Sequence, residues 1–120
     1  MTLIDTSIWV NHFRRLHAGL VELLEESSAA VHPFVIGELA CGNLRNRTAV
    51  LGDLSRLPQA PLASEKEVHT LVETRRLWGS GLGWVDVHIL ASALLAGWEL
   101  ATADAAMREA AKRLGVRCML

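Results

Sequence analysis

Four acidic side chains lie where the sequence is otherwise apolar, and carboxylates in such places are candidates for chemistry. Asp5 follows a short apolar segment at the start of the chain, and Asp104 follows a similar segment near its end. Asp86 begins an apolar stretch with no other charged residue, and Glu38 lies four positions after Phe34 on the apolar face of a predicted helix. Because burying an unpaired carboxylate is costly in free energy, each of these side chains needs a partner.

Brought together, four carboxylates would repel one another strongly unless protons or cations compensated their charge. Oxygen ligands select hard cations, which makes Mg²⁺ or Mn²⁺ the natural counter-ion. Asp5 and Asp104 each follow a predicted strand, and the carboxyl ends of parallel strands form the edge where open α/β sheets bind ligands. The pattern therefore predicts a divalent-cation site at this edge of the sheet.

Each acid also has a separate structural explanation. The three aspartates could each cap the N-terminus of a helix, where aspartate is a favoured residue. Glu38 could instead form an ion pair with Arg45 or Arg47. These explanations are independent of one another, whereas one cation site accounts for all four acids together.

Short apolar segments alternate with longer helical patterns along the chain, which is typical of parallel βαβ units. We predict four or five strands, including Thr2–Ile4, Ala29–His32, Glu99–Thr102 and Val116–Met119. Predicted helices span Ile8–His17, Phe34–Cys41, Ala49–Leu57, Glu65–Trp78, Trp84–Ala96 and Asp104–Leu114, with a further helical stripe at Leu20, Leu23 and Leu24. This order predicts an α/β fold, a three-layer α/β/α sandwich with a short parallel sheet.

Length and composition indicate a single globular domain over residues 1–120. A chain of 120 residues fits one domain, and its 51% hydrophobic residues supply enough material for a core. The net charge of -1 gives no general attraction for nucleic acid, so a phosphate-bearing partner would have to be held locally.

The cysteines and the apolar runs predict a cytoplasmic protein with no membrane partner. Cys41 and Cys118 are far apart and belong to no Cys-x-x-Cys motif, which fits buried thiols in a reducing compartment. The uncharged run Val87–Trp98 is too short for the ~20 residues of a membrane-spanning helix.

The four acids belong to segments that occur in a recognisable order: Asp5-Thr6-Ser7-Ile8-Trp9, Gly37-Glu38-Leu39-Ala40, Trp84-Val85-Asp86 followed by Ile89-Leu90-Ala91-Ser92-Ala93, and Ala101-Thr102 followed by Asp104. In order and spacing these segments resemble the acidic motifs of PIN-domain ribonucleases. The segment Val31–Leu39 is especially similar to the VapC toxins of bacterial VapBC toxin–antitoxin modules. The resemblance spans the whole chain.

The resemblance implies that Asp5, Glu38, Asp86 and Asp104 are catalytic residues that bind one or two Mg²⁺ or Mn²⁺ ions. These ions would activate water for cleavage of RNA phosphodiester bonds. The hydroxyls of the neighbouring threonines would orient the carboxylates, and these threonines are Thr6 and Thr102.

The resemblance also implies an RNA substrate, a cognate VapB-like antitoxin and a homodimer. Basic residues near the motif helices are candidates for contacts with RNA phosphates: Arg14, Arg15, Arg45 and Arg47. Four tryptophans and many leucines exceed what a small core hides easily, which favours an apolar patch for a partner. Candidate faces are Glu65–Trp78 and the stripe from Leu20 to Leu24.

Two alternatives remain open at this point. One is a catalytically silent PIN-like module that binds RNA without cutting it. The other is a phosphoacceptor receiver domain, which has a similar length and also carries carboxylates at strand ends. A receiver domain would need two acids after its first strand, and here only Asp5 follows it.

Overall fold

Three short parallel strands form the sheet of this computed structural model, which describes residues 1–120. They are β1 (Thr2–Ile4), β2 (Ala29–Ala30) and β3 (Glu99–Ala101), in the order β2-β1-β3. Leu3 is paired with Ala30 on one side and with Leu100 on the other. Strand β1 is therefore the central strand, and all three of its residues are buried, as expected for a strand covered on both faces.

Seven helices surround the sheet in the expected three-layer arrangement. They are α1 (Thr6–Arg14), α2 (Ala18–Glu25), α3 (Pro33–Ala40), α4 (Arg47–Arg56), α5 (Glu65–Arg75), α6 (Trp84–Ala96) and α7 (Ala105–Leu114). Helix α6 is apolar around most of its circumference, and it is correspondingly buried from Val87 to Ala93. No helix has both the length and the apolar character needed to cross a membrane.

Local sequence signals set several helix ends. Helix α3 starts at Pro33, and the ring nitrogen Nδ1 of His32 accepts the backbone N–H of Phe34 at 2.9 Å. Ser64 and Glu67 form the predicted capping box of α5. Helix α6 ends at Gly97, whose φ of 68° is a left-handed conformation that favours glycine.

The predicted number of strands was too high. The predicted strand Val116–Met119 forms only an isolated bridge, from Cys118 to Leu100, and a second isolated bridge joins Val31 to Gln59. Near the C-terminus, Leu100 exchanges backbone hydrogen bonds with Arg117 and Met119 only. Two hydrogen bonds join the segment to the outer side of β3 without extending it into a full strand.

One of the two faces proposed for a partner needs correction, and the other belongs to a shorter helix than predicted. Leu20 is fully buried and Leu23 is 8% exposed, so the stripe on α2 belongs to the core and offers no docking surface. Helix α5 stops at Arg75, because Arg76 adopts a left-handed φ of 52°. Beyond this end, Trp78 is 59% exposed.

Candidate active site

Asp5 lies at the carboxyl end of the central strand, within the sheet edge predicted for a ligand. Its backbone N–H donates to the carbonyl of Ala101 at 2.9 Å, and its residue is only 5% exposed. Carboxylate oxygen Oδ2 accepts hydrogen bonds from the hydroxyls of Thr102 and Ser7, each at 2.8 Å. The side chain makes no capping hydrogen bond to α1, so the capping explanation fails for Asp5.

The two hydroxyls that hold Asp5 are themselves fixed by the turn between β3 and α7. The N–H of Ala103 donates to Ser7 Oγ at 2.9 Å, and the N–H of Asp104 donates to Thr102 Oγ1 at 3.1 Å. Sequence reasoning did not assign Ser7 a role at the acids. The available signal was a second hydroxyl residue directly after Asp5 and Thr6 in the same motif.

Asp104 caps helix α7, as its structural explanation predicted. Its oxygen Oδ1 accepts the backbone N–H groups of Ala106 at 2.8 Å and Met107 at 3.2 Å. The other oxygen, Oδ2, accepts no hydrogen bond from the protein. Because the cap uses one oxygen only, capping and cation binding are compatible at this residue.

Asp86 is half-buried in the first turn of α6, and its Oδ2 accepts the N–H of Gly83 at 2.9 Å. Burial raises the pKa of this carboxyl above its usual value. The negative charges of Asp5, Asp104 and Glu38 raise the pKa further, while the hydrogen bond from Gly83 opposes the rise. The four acids therefore share one electrostatic environment.

Glu38 is exposed, which corrects the expectation that it lies on a buried face of α3. Phe34, one turn earlier, is itself 38% exposed, so this side of the helix opens to solvent. Glu38 Oε1 accepts the hydroxyl of Thr6 at 2.7 Å. The alternative ion pair of Glu38 with Arg45 or Arg47 does not form. The single ion pair of the chain joins Arg56 to Asp53.

The oxygen atoms of the four carboxylates are suitable ligands for a hard divalent cation. Each of the four carboxylates uses one oxygen in hydrogen bonds and keeps the second oxygen free of protein donors. No three His, Cys, Asp or Glu side chains are packed closely enough to form a preformed metal cluster. Mutual repulsion between the negatively charged carboxylates favours keeping them apart when no cation is bound.

Two of the four candidate arginines share a groove with one of the four acids, Glu38. Arg14 and Arg45 line a groove of about 620 Å³ together with Thr6 and Glu38. The other two candidates do not line this groove. Arg15 borders a separate groove beside α2, and Arg47 donates from its guanidinium to the carbonyl of Ala40.

A cluster of rings lies beside α6. The His88 ring is 3% exposed and packs between Phe34 and Trp84, with ring centroids 4.8 Å apart in both cases. Trp84 is 42% exposed and also contacts His69. Burial lowers the pKa of His32 to about 4, with a smaller contribution from His88, so this ring is neutral at pH 7.

The PIN-domain family model matches residues 2–113, the region that contains all four acids. The chain belongs to the PIN-domain family. Two curated relatives, each called Ribonuclease VapC32 and each from a strain of Mycobacterium tuberculosis, are 47% identical to this PIN domain over 117 residues. These matches cover 97% of the chain and 94% of each relative, and they place the protein in the VapC group.

Solved structures support the same fold. A toxin–antitoxin complex from Klebsiella pneumoniae matches with a TM-score of 0.67 and 21% identity, covering 87% of each chain. FitAcB from Neisseria gonorrhoeae matches with a TM-score of 0.62 and 17% identity, covering 100% of this chain and 97% of the other. The PIN assignment confirms the resemblance seen in the motifs and excludes the receiver-domain alternative.

Proposed function

We propose that this PIN domain is the toxin of a type II toxin–antitoxin module, an endoribonuclease that depends on Mg²⁺ or Mn²⁺. The observation that supports the proposal best is the set of four carboxylates in a VapC-type chain, each with one oxygen free of protein donors. The residues proposed to hold the cation are Asp5, Glu38, Asp86 and Asp104. When bound, a divalent cation activates water and neutralises the charge that develops on the scissile phosphate.

The surrounding residues fix the acids in position for this role. Thr102 and Ser7 bind the same oxygen of Asp5, which leaves Oδ1 available. Thr6 does the same for Glu38 by donating to Oε1. A hydroxyl that donates a hydrogen bond to one carboxylate oxygen also fixes the direction of the second oxygen. Residues that hydrogen-bond to metal ligands generally orient those ligands in this way.

Proton binding at Asp86 sets the expected acid limit of activity. A carboxylate must be ionised to bind a cation, and the pKa of Asp86 is raised. Activity should therefore fall on acidification, starting at a higher pH than a carboxyl of ordinary pKa would require.

The basic groove beside Glu38 is proposed to bind RNA. Arg14 and Arg45 are both exposed there, and neither forms an ion pair with an acid of the protein. Their guanidinium groups are therefore available to substrate phosphates next to the acids.

An antitoxin and a second copy of the chain are proposed as protein partners. The relatives and structural neighbours come from toxin and antitoxin proteins, which supports an antitoxin. Phe34 and Trp84 are exposed on either side of His88, which supports burial of this ring cluster in a homodimer. Cys41 is exposed and Cys118 is only partly buried, which corrects the expectation of buried thiols. Both are free thiols, which supports the proposal of a cytoplasmic protein.

The decisive experiment incubates the purified protein with total RNA, with and without Mg²⁺ or Mn²⁺, and maps the new 5′ ends. Cleavage should require the cation, stop with EDTA, and fall by at least about a hundredfold in Asp5→Asn, because that change removes a charged ligand. Asp53→Asn is the matched control, since Asp53 is an exposed aspartate outside the site.

Two results would contradict the proposal. Full cleavage in the chelator, or equal cleavage by wild type and Asp5→Asn, would exclude the cation site. Binding of RNA without any cleavage would favour the catalytically silent module instead.

A further inference from the structure

Half of the chain's twelve basic residues lie at the C-terminal end of α5, on α7 or just after α7, and none of them belongs to the candidate active site. They are Arg75, Arg76, Arg108, Lys112, Arg113 and Arg117. Arg75 and Arg113 tie the two helices together, because each guanidinium donates to the other residue's carbonyl at 2.8 Å. Three of the remaining cations line a groove of about 510 Å³ alongside α7: Arg108, Lys112 and Arg117.

The positive charge of this α7 groove is not neutralised within the protein. Glu109 also borders the groove, yet it pairs with none of the three cations. Lys112 and Arg117 are exposed and donate no side-chain hydrogen bond to the protein. Their charged groups are therefore free to bind an anion.

The α7 groove is connected to the active site through helix α7 and Arg108. Asp104 caps α7, and Arg108 and Lys112 follow it one and two turns later, at roughly 6 and 12 Å along the helix axis. Arg108 donates from Nη2 to the carbonyl of Thr102 at 2.6 Å, and the hydroxyl of Thr102 holds Asp5. A row of cations thus leads away from the acids along one helix.

We propose that the α7 groove binds phosphates of the RNA substrate that lie away from the cleaved bond. This inference rests on the proposed ribonuclease function, and it adds a second contact surface to the one formed by Arg14 and Arg45. Lys and Arg side chains that follow a phosphodiester-cleaving site along one helix are suited to contact further phosphates of the same RNA strand, because such contacts are largely electrostatic. An acidic protein segment would not require this continuity with the acids.

The test compares wild type with the double variant Lys112→Gln/Arg117→Gln on two RNAs that contain the same mapped cleavage site. One RNA extends well beyond the cut on both sides, and the other keeps only the immediately flanking nucleotides. On the long RNA we expect KM to rise about tenfold with kcat unchanged, and the salt dependence of binding to weaken by about one to two in log–log slope. On the short RNA both parameters should match wild type.

The matched control is Arg56→Gln/Lys66→Gln, which removes two exposed positive charges from α4 and α5, outside the groove. An equal loss in the control would show a general charge effect and overturn the inference, as would an unchanged KM in the groove variant. Unchanged RNA kinetics with weakened antitoxin binding would assign the groove to an acidic protein segment. Absence of cleavage by wild type would instead refute the ribonuclease function itself.

Discussion

At the scale of single residues, the two oxygens of each carboxylate in the site have different roles: one accepts hydrogen bonds from the protein, and the other does not. Asp5 accepts both hydroxyl hydrogen bonds on Oδ2, and Asp86 accepts the Gly83 N–H on Oδ2 only. One oxygen holds the side chain in place, and the other keeps its full capacity as an acceptor or ligand. The arrangement stabilises orientation without neutralising the charge that a cation would bind.

Asp86→Asn is expected to abolish cleavage and to raise the Tm of the metal-free protein by a few degrees at pH 7. The folded pKa of Asp86 is raised, so the ionised carboxyl destabilises the fold at neutral pH, and this penalty disappears as pH falls toward the unfolded value of 3.8. The amide oxygen of asparagine can still accept the N–H of Gly83. Thermal melts of both proteins in EDTA, at pH 7 and near pH 4, should show the difference in Tm only at the higher pH. A lower Tm for the variant at pH 7 would contradict the proposed cost of burying the ionised Asp86 carboxylate near the other acids.

The sequence was sufficient to predict that Asp5 and Asp104 follow strands, because apolar segments and strand ends are local features. The exposure of Glu38 was not predictable in the same way. The periodicity of α3 groups Glu38 with Phe34, but which side of a helix meets the core depends on packing against distant elements. The role of Ser7 was missed for a similar reason, since its partners Thr102 and Ala103 lie some 95 positions away.

At the scale of elements, the residue that caps α7 contributes both to helix stability and to the site. Asp104 satisfies two backbone N–H groups at the helix N-terminus and also contributes charge to the acidic edge. Aspartate at position 104 therefore has two roles, as a helix cap and as a charged member of the site, and substitutions can separate them.

Asp104→Ala should lower stability by about 1 kcal/mol through loss of the cap, and it should also abolish or strongly reduce cleavage. Asp104→Asn keeps an oxygen that can accept the N–H groups of Ala106 and Met107, so its stability should stay near that of wild type while cleavage is lost. Chemical denaturation and RNA cleavage assays on the two variants measure the two effects. Wild-type cleavage in Asp104→Asn would reduce Asp104 to a capping residue.

Helices were easier to predict than strands in this protein. Caps and glycines mark helix ends in the sequence, as Ser64 and Gly97 show. Short strands have few residues to establish a pattern, and pairing depends on hydrogen-bond partners elsewhere in the chain. Val116–Met119 has the composition of a strand, yet only the bridge at Cys118 forms.

At the scale of the whole molecule, the exposed apolar side chains are unevenly distributed. Trp9 is 3% exposed, whereas Trp84 and Trp78 are 42% and 59% exposed. Trp84 belongs to the ring cluster with His69, His88 and Phe34. A contiguous group of partly exposed rings is a better candidate for an interface than isolated exposed residues.

Light scattering of the wild-type protein should report about twice the chain mass of 13.1 kDa. Trp84→Glu should shift the mass to a single chain, because it places an acid within the proposed interface. Trp78→Glu, at an exposed tryptophan outside the ring cluster, should leave the mass doubled. A strictly monomeric wild type, or a dimer unaffected by Trp84→Glu, would rule out this surface as the dimer contact.

The central position of β1 in the sheet determines when the acidic edge can form during synthesis of the protein. The central strand β1 is translated before β3, and the Thr102 hydroxyl that holds Asp5 is encoded 97 positions after Asp5. Contacts between such distant residues form late, because a long loop must close before they are made. A partly synthesised chain lacks β3 and therefore lacks the support for Asp5. The acidic edge can therefore form only after translation has passed Thr102 and Asp104.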